Sequence, residues 1–230
     1  MKEAYVTATR PTGAHSVYLT LELADSEASF TGQPGHHTVV SKPESEHGRQ
    51  SAMPYSVMKL GPTRIMLLVR GYEDGNVSAW INDRVPGDTV SVRTDLSGNL
   101  TLQSADRPAV FMASGTGITP MVGLLDQYLE GGGSDATVIL GDKRQETLLG
   151  TELLEFLGTD SAVDIEYVLS RESWAGREGY AQEHLSEIFD EIDDSRDYYI
   201  CGVPPMVNGT KDLLAGHDVS EEAIITEGWE

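Results

Sequence analysis

Two glycines, Gly115 and Gly117, stand between an apolar stretch and a Thr-Pro pair in the segment 110–121, VFMASGTGITPM. The apolar stretch is typical of a buried strand, and the residues after Pro120 have the spacing of one helix face. We expect Thr119 to cap that helix and Pro120 to lie in its first turn. Such a turn offers backbone N–H groups to a phosphate, and the glycines leave room for it. A plain strand-to-helix turn is the alternative, because Pro120 replaces the third glycine of the dinucleotide fingerprint.

Two later turns carry groups that suit the same kind of ligand. The segment 169–182, LSRESWAGREGYAQ, places hydroxyl and guanidinium donors after a predicted strand: Ser170, Arg171, Arg177 and Tyr180. These donors suit a ribose or its phosphate. Further along, Cys201 and Gly202 close another predicted strand, just before a helix. Because the carboxyl ends of parallel strands meet at one sheet edge, we expect all three turns to line one crevice.

The cysteine count and the hydropathy exclude several classes of protein. One cysteine permits no internal disulfide, no CxxC redox pair and no four-cysteine iron–sulfur cluster in this chain, so redox chemistry needs a bound cofactor. No stretch approaches the roughly 18 apolar residues of a membrane span, and residues 1–13 lack the apolar core of a signal peptide. We expect a cytoplasmic protein. His36 and His37 face opposite sides of a predicted strand, so no metal site is expected there or elsewhere.

The chain is strongly acidic: 37 Asp and Glu residues stand against 16 Lys and Arg residues, a net charge of −21. Such a surface repels nucleic acids and anionic lipids, so neither is expected as a partner. Few of the cations are lysines: Lys2, Lys42, Lys59, Lys143 and Lys211. This pattern is typical of a halophilic protein, since molar salt shortens the Debye length to about 3 Å and screens the repulsion. We expect lower stability in dilute buffer; an acidic mesophilic protein is the alternative.

The two parts of the chain differ in their periodicity. Residues 1–106 contain six short strand-like segments separated by turn residues, and one helical segment at 76–84. This pattern predicts an antiparallel barrel or sandwich, with Asn76 or Ser78 as the cap of the helix. Residues 107–230 alternate strand and helix in four βα units and end in an apolar strand, which predicts a parallel sheet. The sequence therefore predicts two domains, 1–106 and 107–230.

A series of motifs, in the expected order, resembles the ferredoxin–NADP reductase superfamily. They are the Pro-Gly turn at 34–35, MPYS at 53–56, GNVS at 75–78, SGNL at 97–100, SGTGITP at 114–120, LSR at 169–171 and ICGVPPM at 200–206. The resemblance runs through nearly the whole chain. It implies an N-terminal antiparallel flavin-binding β-barrel followed by a C-terminal parallel-sheet domain that binds a nicotinamide nucleotide.

The resemblance implies a flavin site on the barrel. Tyr55 is expected to pack its ring on the flavin. Ser56 is expected to place its hydroxyl near the flavin's reactive nitrogen, and it is one of two implied catalytic residues, with Cys201. The other implied flavin contacts are Met53, Pro54, Val57, Gly75, Asn76, Val77, Ser78 and, near the C-terminus, Trp229. The four residues from Gly75 to Ser78 are expected to present a helix N-terminus to the flavin diphosphate.

The resemblance also implies a nucleotide site on the second domain. The pyrophosphate is expected at Gly115, Thr116 and Gly117, and the adenosine ribose at Ser170, Arg171 and Tyr180. The nicotinamide is expected beside Cys201, in the turn that also holds Gly202 and Met206. NADP is preferred over NAD, because Ser170, Arg171 and Arg177 suit a 2′-phosphate. Asp142, next to Lys143 and Arg144, leaves NAD open.

One position departs from the family pattern. Where the family carries an arginine that pairs with the flavin phosphates, this chain has Met53, which cannot donate to a phosphate. Losing one charge-assisted contact costs roughly 1.5–3 kcal/mol if nothing replaces it. Three outcomes follow, in order of preference: FAD held by another cation such as Arg49, Arg64 or Arg70; a smaller flavin such as FMN; or a barrel without flavin.

The function implied by the resemblance is that of an NAD(P)H-dependent flavoprotein reductase. Hydride is expected to pass from the nicotinamide to FAD, and electrons to leave for a partner such as ferredoxin. The cofactors carry this chemistry, and the protein stacks the two rings and excludes water. The alternative is a flavin-poor or flavin-free nucleotide-binding or electron-transfer subunit that needs a partner chain. Met53 supports that alternative, whereas Tyr55, Ser56 and Cys201 oppose it.

Overall fold

A computed structural model describes residues 1–13, 15–42, 52–72, 75–159 and 163–228. The chain divides into two compact units, Met1–Gly98 and Asn99–Glu230. Residues 99–106, which the sequence pattern placed with the strand-rich part, belong to the second unit by their contacts. One of these contacts is the hydrogen bond that the Gln103 N–H donates to the Tyr199 hydroxyl at 2.9 Å.

The first unit is a closed antiparallel barrel. Its strands are β1 (Lys2–Thr12), β2 (Ser16–Leu23), β3 (His37–Ser41), β4 (Ala52–Leu60), β5 (Arg64–Arg70) and β6 (Thr89–Val92). They are hydrogen-bonded in the order β1-β2-β5-β4-β3-β6. Strand β6 pairs with both β3 and β1, which closes the sheet on itself. Of the two architectures that the sequence left open, the structure is the barrel.

Alternate strand residues fill the barrel interior, as the period of two requires. Leu19, Leu21 and Leu67 are fully buried. They share one apolar cluster with Val77 and Trp80 of helix α1 (Asn76–Asn82). Helix α1 therefore packs its apolar side onto the barrel core, which sets the position of its first residues.

The second unit is a six-stranded parallel sheet covered by helices. Its strands are β7 (Ala109–Ser114), β8 (Ala136–Asp142), β9 (Val163–Leu169), β10 (Arg177–Glu178), β11 (Asp197–Gly202) and β12 (Ile224–Gly228). Its helices are α2 (Ile118–Glu130), α3 (Thr151–Gly158), α4 (Leu185–Ile188) and α5 (Pro204–Gly216). The two-residue strand β10 has no periodic signal in the sequence and was not expected. Within the described part of the chain, every helix is too short or too polar to cross a membrane.

The strand order in this sheet is β10-β9-β8-β7-β11-β12. The chain runs outward from β7 to β8, β9 and β10, then returns to place β11 on the other side of β7. The order therefore reverses at β7. In open α/β sheets, ligands bind at the carboxyl ends of the strands where the order reverses.

The expected helix caps are wrong in both units. Helix α1 is capped by Gly75 and helix α2 by Gly117, and neither cap forms a side-chain hydrogen bond. Helix α2 starts at Ile118, so Thr119 lies inside its first turn, where it is buried. Pro120 lies in that first turn, as expected, where its missing N–H costs nothing.

Candidate functional site

The carboxyl ends of β7 and β11 bring two glycine turns into contact. The strands are neighbours in the sheet, with Ala113 paired to Cys201. The Val203 N–H donates a hydrogen bond to the Ser114 hydroxyl at 3.0 Å, which links residues 89 apart in the chain. Gly117 packs directly on the carbonyl group of Cys201, and a Cβ at Gly117 would overlap it. The two turns therefore form one surface at the point where the strand order reverses.

The turn after β7 has open hydrogen-bond donors. Gly115 has a φ of 56°, in the left-handed region that favours glycine, and residues 115–117 form a single 3-10 turn directly before α2. No side chain caps α2 or the 3-10 turn, and the Ile118 N–H already donates to carbonyls of that turn. The N–H groups left without an intrahelical partner are therefore those of the 3-10 turn itself. Thr119 Oγ1 is buried and finds no hydrogen-bond partner among the described residues. Open amides and a buried unsatisfied hydroxyl fit a phosphate-bearing nucleotide.

The turns after β8 and β9 continue this edge on the other side of β7. The Ser170 and Arg171 N–H groups donate to the carbonyls of Asp142 and Lys143, at 3.0 and 2.9 Å. The Asp142 carboxylate accepts hydrogen bonds from the Lys143 N–H and the Thr147 hydroxyl, both at 2.7 Å. This carboxylate is therefore engaged in holding its own turn.

Three cations stand on the surface of these turns. Lys143, Arg144 and Arg171 are all exposed. Within the described ranges, none of the three side chains forms an ion pair. In a chain with a net charge of −21, three cations with no acidic partner among the described residues mark a place where an anion is favoured.

Arg177 lies elsewhere, contrary to the expectation that it faces a 2′-phosphate. Its guanidinium forms ion pairs with Glu166 at 3.0 Å and Glu187 at 2.9 Å. With these acids it lines a cavity of about 340 Å³ that also includes Asp135 and Asp164. Those residues belong to the amino ends of the strands, so the guanidinium points away from the glycine turns. The acids on the neighbouring strand and helix hold it there.

Tyr180 and Met206 differ in accessibility. The Tyr180 side chain is exposed, and its backbone N–H donates to the Glu183 carboxylate at 3.1 Å. Met206 is buried, and a Cβ on Gly202 would meet its methyl group at 2.7 Å. Cys201 is fully buried. In this turn the exposed surface is therefore formed by the backbone rather than by the cysteine side chain.

Sequence reasoning missed Glu227. The pairing of β11 with β12 places Glu227 directly beside Cys201. Burial raises the pKa of the Glu227 carboxyl to about 7, against the lowering effect of a hydrogen bond from the Asn99 backbone. A carboxyl group that titrates near neutral pH at a ligand-binding edge is a candidate proton donor. Only strand pairing reveals this neighbour, because the two residues are far apart in the sequence.

Replacing Glu227 by Gln is expected to flatten the pH dependence of stability. The folded-state pKa of about 7 is higher than the ordinary 4.5, so the folded protein holds this proton more tightly than the unfolded chain. The resulting stabilisation is complete below pH 4.5 and is lost as the pH rises through about 7. Between pH 5 and pH 8 the wild type should therefore lose more stability than Glu227→Gln.

Urea unfolding at the two pH values measures this difference. Glu222→Gln is the matched control, because it removes an exposed carboxylate from the same unit. The control is expected to follow the wild type. A Glu227→Gln protein with the same pH slope as the wild type would contradict the raised pKa.

Strand β4 carries the residues expected at a flavin. Tyr55 and Ser56 pair with Thr38 and His37 of β3. The Tyr55 ring packs against the barrel core, and burial raises the pKa of its hydroxyl well above the ordinary value. Met53, two residues before Tyr55, is 51% exposed. Near its start, β4 therefore presents the protonated, half-buried Tyr55 and the exposed thioether of Met53.

The other expected flavin contacts divide into two groups. Val57 and Val77 are buried in the barrel core, so their side chains are not accessible to a ligand, and the Val57 N–H already donates to the His36 carbonyl at 2.9 Å. Pro54, Gly75 and Ser78 are half-buried and Asn76 is exposed. Trp229 lies outside the described residues.

Arg49, Arg64 and Arg70 were expected to supply the positive charge that Met53 lacks, and their surroundings differ. Arg64 pairs with Glu22 at 2.7 Å, at the opposite end of the barrel strand pair from Met53. Arg70 ends β5, is half-buried and has interaction partners within the chain. Arg49 lies outside the described residues.

Comparison with known proteins identifies the family. The Oxidoreductase NAD-binding domain family matches residues 111–212, which include the glycine turns of β7 and β11. Ferredoxin–NADP reductase B of Sorangium cellulosum is 30% identical over 228 residues, covering 93% of this chain and 91% of that protein. The chain belongs to the ferredoxin–NADP reductase family. It is thus an oxidoreductase, as the motifs predicted.

Other relatives of this reductase-family chain are longer. The anthranilate 1,2-dioxygenase electron transfer component of Acinetobacter baylyi is 25% identical over 200 residues, 84% of this chain. The chain spans 57% of that protein, and 51% of an NADH-cytochrome b5 reductase 1 of Pyricularia oryzae. The family therefore includes proteins in which the matching region is about half of a longer chain.

Solved structures of other proteins share the fold. The flavohem-like FAD/NAD-binding domain of nitric oxide dioxygenase from Vibrio cholerae matches with a TM-score of 0.90 at 20% identity, covering 99% of this chain and 98% of that one. A ferredoxin NADP+ reductase from Neisseria gonorrhoeae, solved with bound FAD and NADP, matches with a TM-score of 0.81 at 19% identity, covering 98% and 97%. The expected architecture of an antiparallel barrel and a parallel-sheet domain is confirmed.

Proposed function

We propose that this chain is a flavin-dependent oxidoreductase that takes a hydride from NAD(P)H onto FAD and passes electrons to a ferredoxin-like or other redox partner. The observation that carries the proposal is the contact between the glycine turns of β7 and β11, where Gly117 packs on the Cys201 carbonyl. When bound, the nicotinamide supplies a hydride and the flavin accepts it. The Sorangium relative supports ferredoxin as the acceptor by its name.

The chain's own residues bind, orient and hold protons in this proposal. Gly115 and Gly117 admit the pyrophosphate to the amides of the 3-10 turn that precedes α2. Tyr55 offers a ring and Ser56 a hydroxyl to the flavin on β4. Glu227, beside Cys201 at the sheet edge, holds a proton at near-neutral pH.

We propose NADPH rather than NADH as the preferred nucleotide. The support is the group of exposed cations after β8 and β9, Lys143, Arg144 and Arg171. A 2′-phosphate attracts these cations, whereas a free 2′-hydroxyl needs an acceptor. The carboxylate of Asp142, in the turn after β8, is a candidate acceptor for that hydroxyl, but it already accepts two hydrogen bonds within its own turn.

One observation favours the second candidate, a nucleotide-binding subunit without its own flavin. Met53 is exposed on β4 at the position where the family pattern has an arginine. The half-buried Tyr55, retained two residues away, favours the flavoprotein. Salt adaptation of the acidic surface stays a prediction from composition.

A visible absorption spectrum tests the two candidates. The protein is purified in high salt, and its spectrum is recorded before and after anaerobic addition of NADPH and, separately, NADH. We expect a bound-flavin spectrum that bleaches with NADPH faster than with NADH. A colourless protein that stays colourless after incubation with FAD or FMN would reject the flavoprotein and leave the nucleotide-binding subunit.

A further inference from the structure

Lys42 lies beside the start of β4, the strand that carries Tyr55. Lys42 directly follows β3, whose last residues pair with the start of β4: Val40 with Met53, and Ser41 with Ala52. Ala52 is the first residue of β4 and pairs with Ser41, so Lys42 is the residue directly after that pair.

The ammonium group of Lys42 is held by neutral groups. Its Nζ donates a hydrogen bond to Asn76 Oδ1 at 2.7 Å. It also lies 6.0 Å from the centre of the Trp80 ring. Over the described ranges of the chain, no carboxylate pairs with it. Among the described residues, the Lys42 ammonium is thus held by an amide and a ring rather than by a carboxylate, and its side chain is half-exposed.

Most other barrel cations are engaged with partners. Lys2 pairs with Asp25 at 3.3 Å, Arg64 with Glu22 at 2.7 Å, and Arg84 with Asp88 at 3.4 Å. Arg10, Lys59 and Arg70 have other interactions within the chain. Arg93 is exposed, but its charge acts on His37 and its backbone N–H bonds to Val39, three residues back from Lys42. Of the barrel cations that the structure describes, Lys42 is therefore the one best placed at the start of β4.

We propose that Lys42 binds the diphosphate of FAD in this chain and so supplies the positive charge that Met53 cannot. The inference rests on the proposed flavoprotein function and names one cofactor-binding residue for it. A diphosphate carries two negative charges, and a chain with a net charge of −21 repels it unless a local cation compensates. A lysine held by a neutral amide exchanges that partner for phosphate oxygens at little cost, because within the described part of the chain no ion pair has to be broken.

Equilibrium titrations of the full-length chain with FAD and with riboflavin test the proposal. The variants are Lys42→Met, the matched control Arg93→Met, and the double variant Lys42→Met with Met53→Arg. We expect Lys42→Met to weaken FAD binding about tenfold or more and to leave riboflavin, which has no phosphate, unchanged. Arg93→Met should match the wild type for both ligands. Arginine at position 53 should restore FAD binding, because Met53 lies across the β3–β4 pair from the residues just before Lys42.

Several outcomes would overturn the proposal. Equal FAD affinity in Lys42→Met and wild type would show that another group binds the diphosphate. Equal losses for FAD and riboflavin would show a structural role, and equal losses in Lys42→Met and Arg93→Met would show a general effect of charge. If the wild type bound neither FAD nor riboflavin, the proposed flavoprotein function itself would be wrong. This outcome is distinguishable from the others, because in each of them the wild type binds FAD.

Discussion

Alanine in place of Gly117 is expected to push the two glycine turns apart and to weaken NADPH binding at least about tenfold. The new Cβ would overlap the backbone carbonyl of Cys201 rather than a movable side chain. Added volume in a packed site costs about 1–3 kcal/mol. We therefore also expect a decrease of that size in the free energy of unfolding. Titration calorimetry with NADPH and urea unfolding measure the two effects.

Gly216→Ala is the matched control for this substitution. Gly216 is the last residue of α5 in the same unit, and a Cβ there meets no atom within 4 Å. Alanine favours a helix over glycine by up to about 1 kcal/mol, so stability should stay unchanged or rise. NADPH binding should not change. A Gly117→Ala protein that binds NADPH like the wild type would show that this contact does not shape the nucleotide site.

Removing the guanidinium of Arg171 is expected to erase most of the preference for NADPH over NADH. A charge-assisted hydrogen bond to a phosphate contributes about 1.5–3 kcal/mol. Arg171→Ala should therefore raise the dissociation constant for NADPH about tenfold to a hundredfold. The dissociation constant for NADH should change little, because the 2′-hydroxyl does not need a cation. Lys143, exposed on the adjacent turn, should retain part of the preference.

Arg177→Ala is the control that distinguishes the loss of a specific phosphate contact at Arg171 from a general loss of positive charge. Arg177 lies six residues further along, but its guanidinium is held by Glu166 and Glu187. We expect its removal to leave the ratio of the two dissociation constants unchanged. If Arg171→Ala weakened both nucleotides equally, or if Arg177→Ala altered the ratio as strongly, the proposed phosphate contact would be wrong.

Local sequence pattern was a reliable guide to the elements of both units. The strand-like segments before residue 100 became the barrel strands, and the helical segment after Gly75 became α1. The turns SGTG and CG lie at the carboxyl ends of β7 and β11, as expected. These elements depend on turn residues and on periods of 2 or 3.6, which a short window of sequence carries.

Details that depend on contacts between distant segments were not predictable in this way. The eight residues before residue 107 join the second unit through contacts such as that of Gln103 with Tyr199. Arg177 turns toward acids on β9 and α4 rather than toward the ligand edge. Thr119 lies within the first turn of α2, because the helix starts two residues earlier than a threonine cap requires.

By itself the sequence determined the order of the elements, the acidic surface, the lack of cluster cysteines and the turns that have room for a phosphate. Each of these follows from residue type and local spacing. Only the tertiary structure decided which turns meet. It placed Cys201 between Ala113 and Glu227 in the sheet, and Lys42 beside Asn76 at the start of α1. The physical reason is that strand order and burial bring together residues remote in the chain, and these neighbours set a group's charge and access.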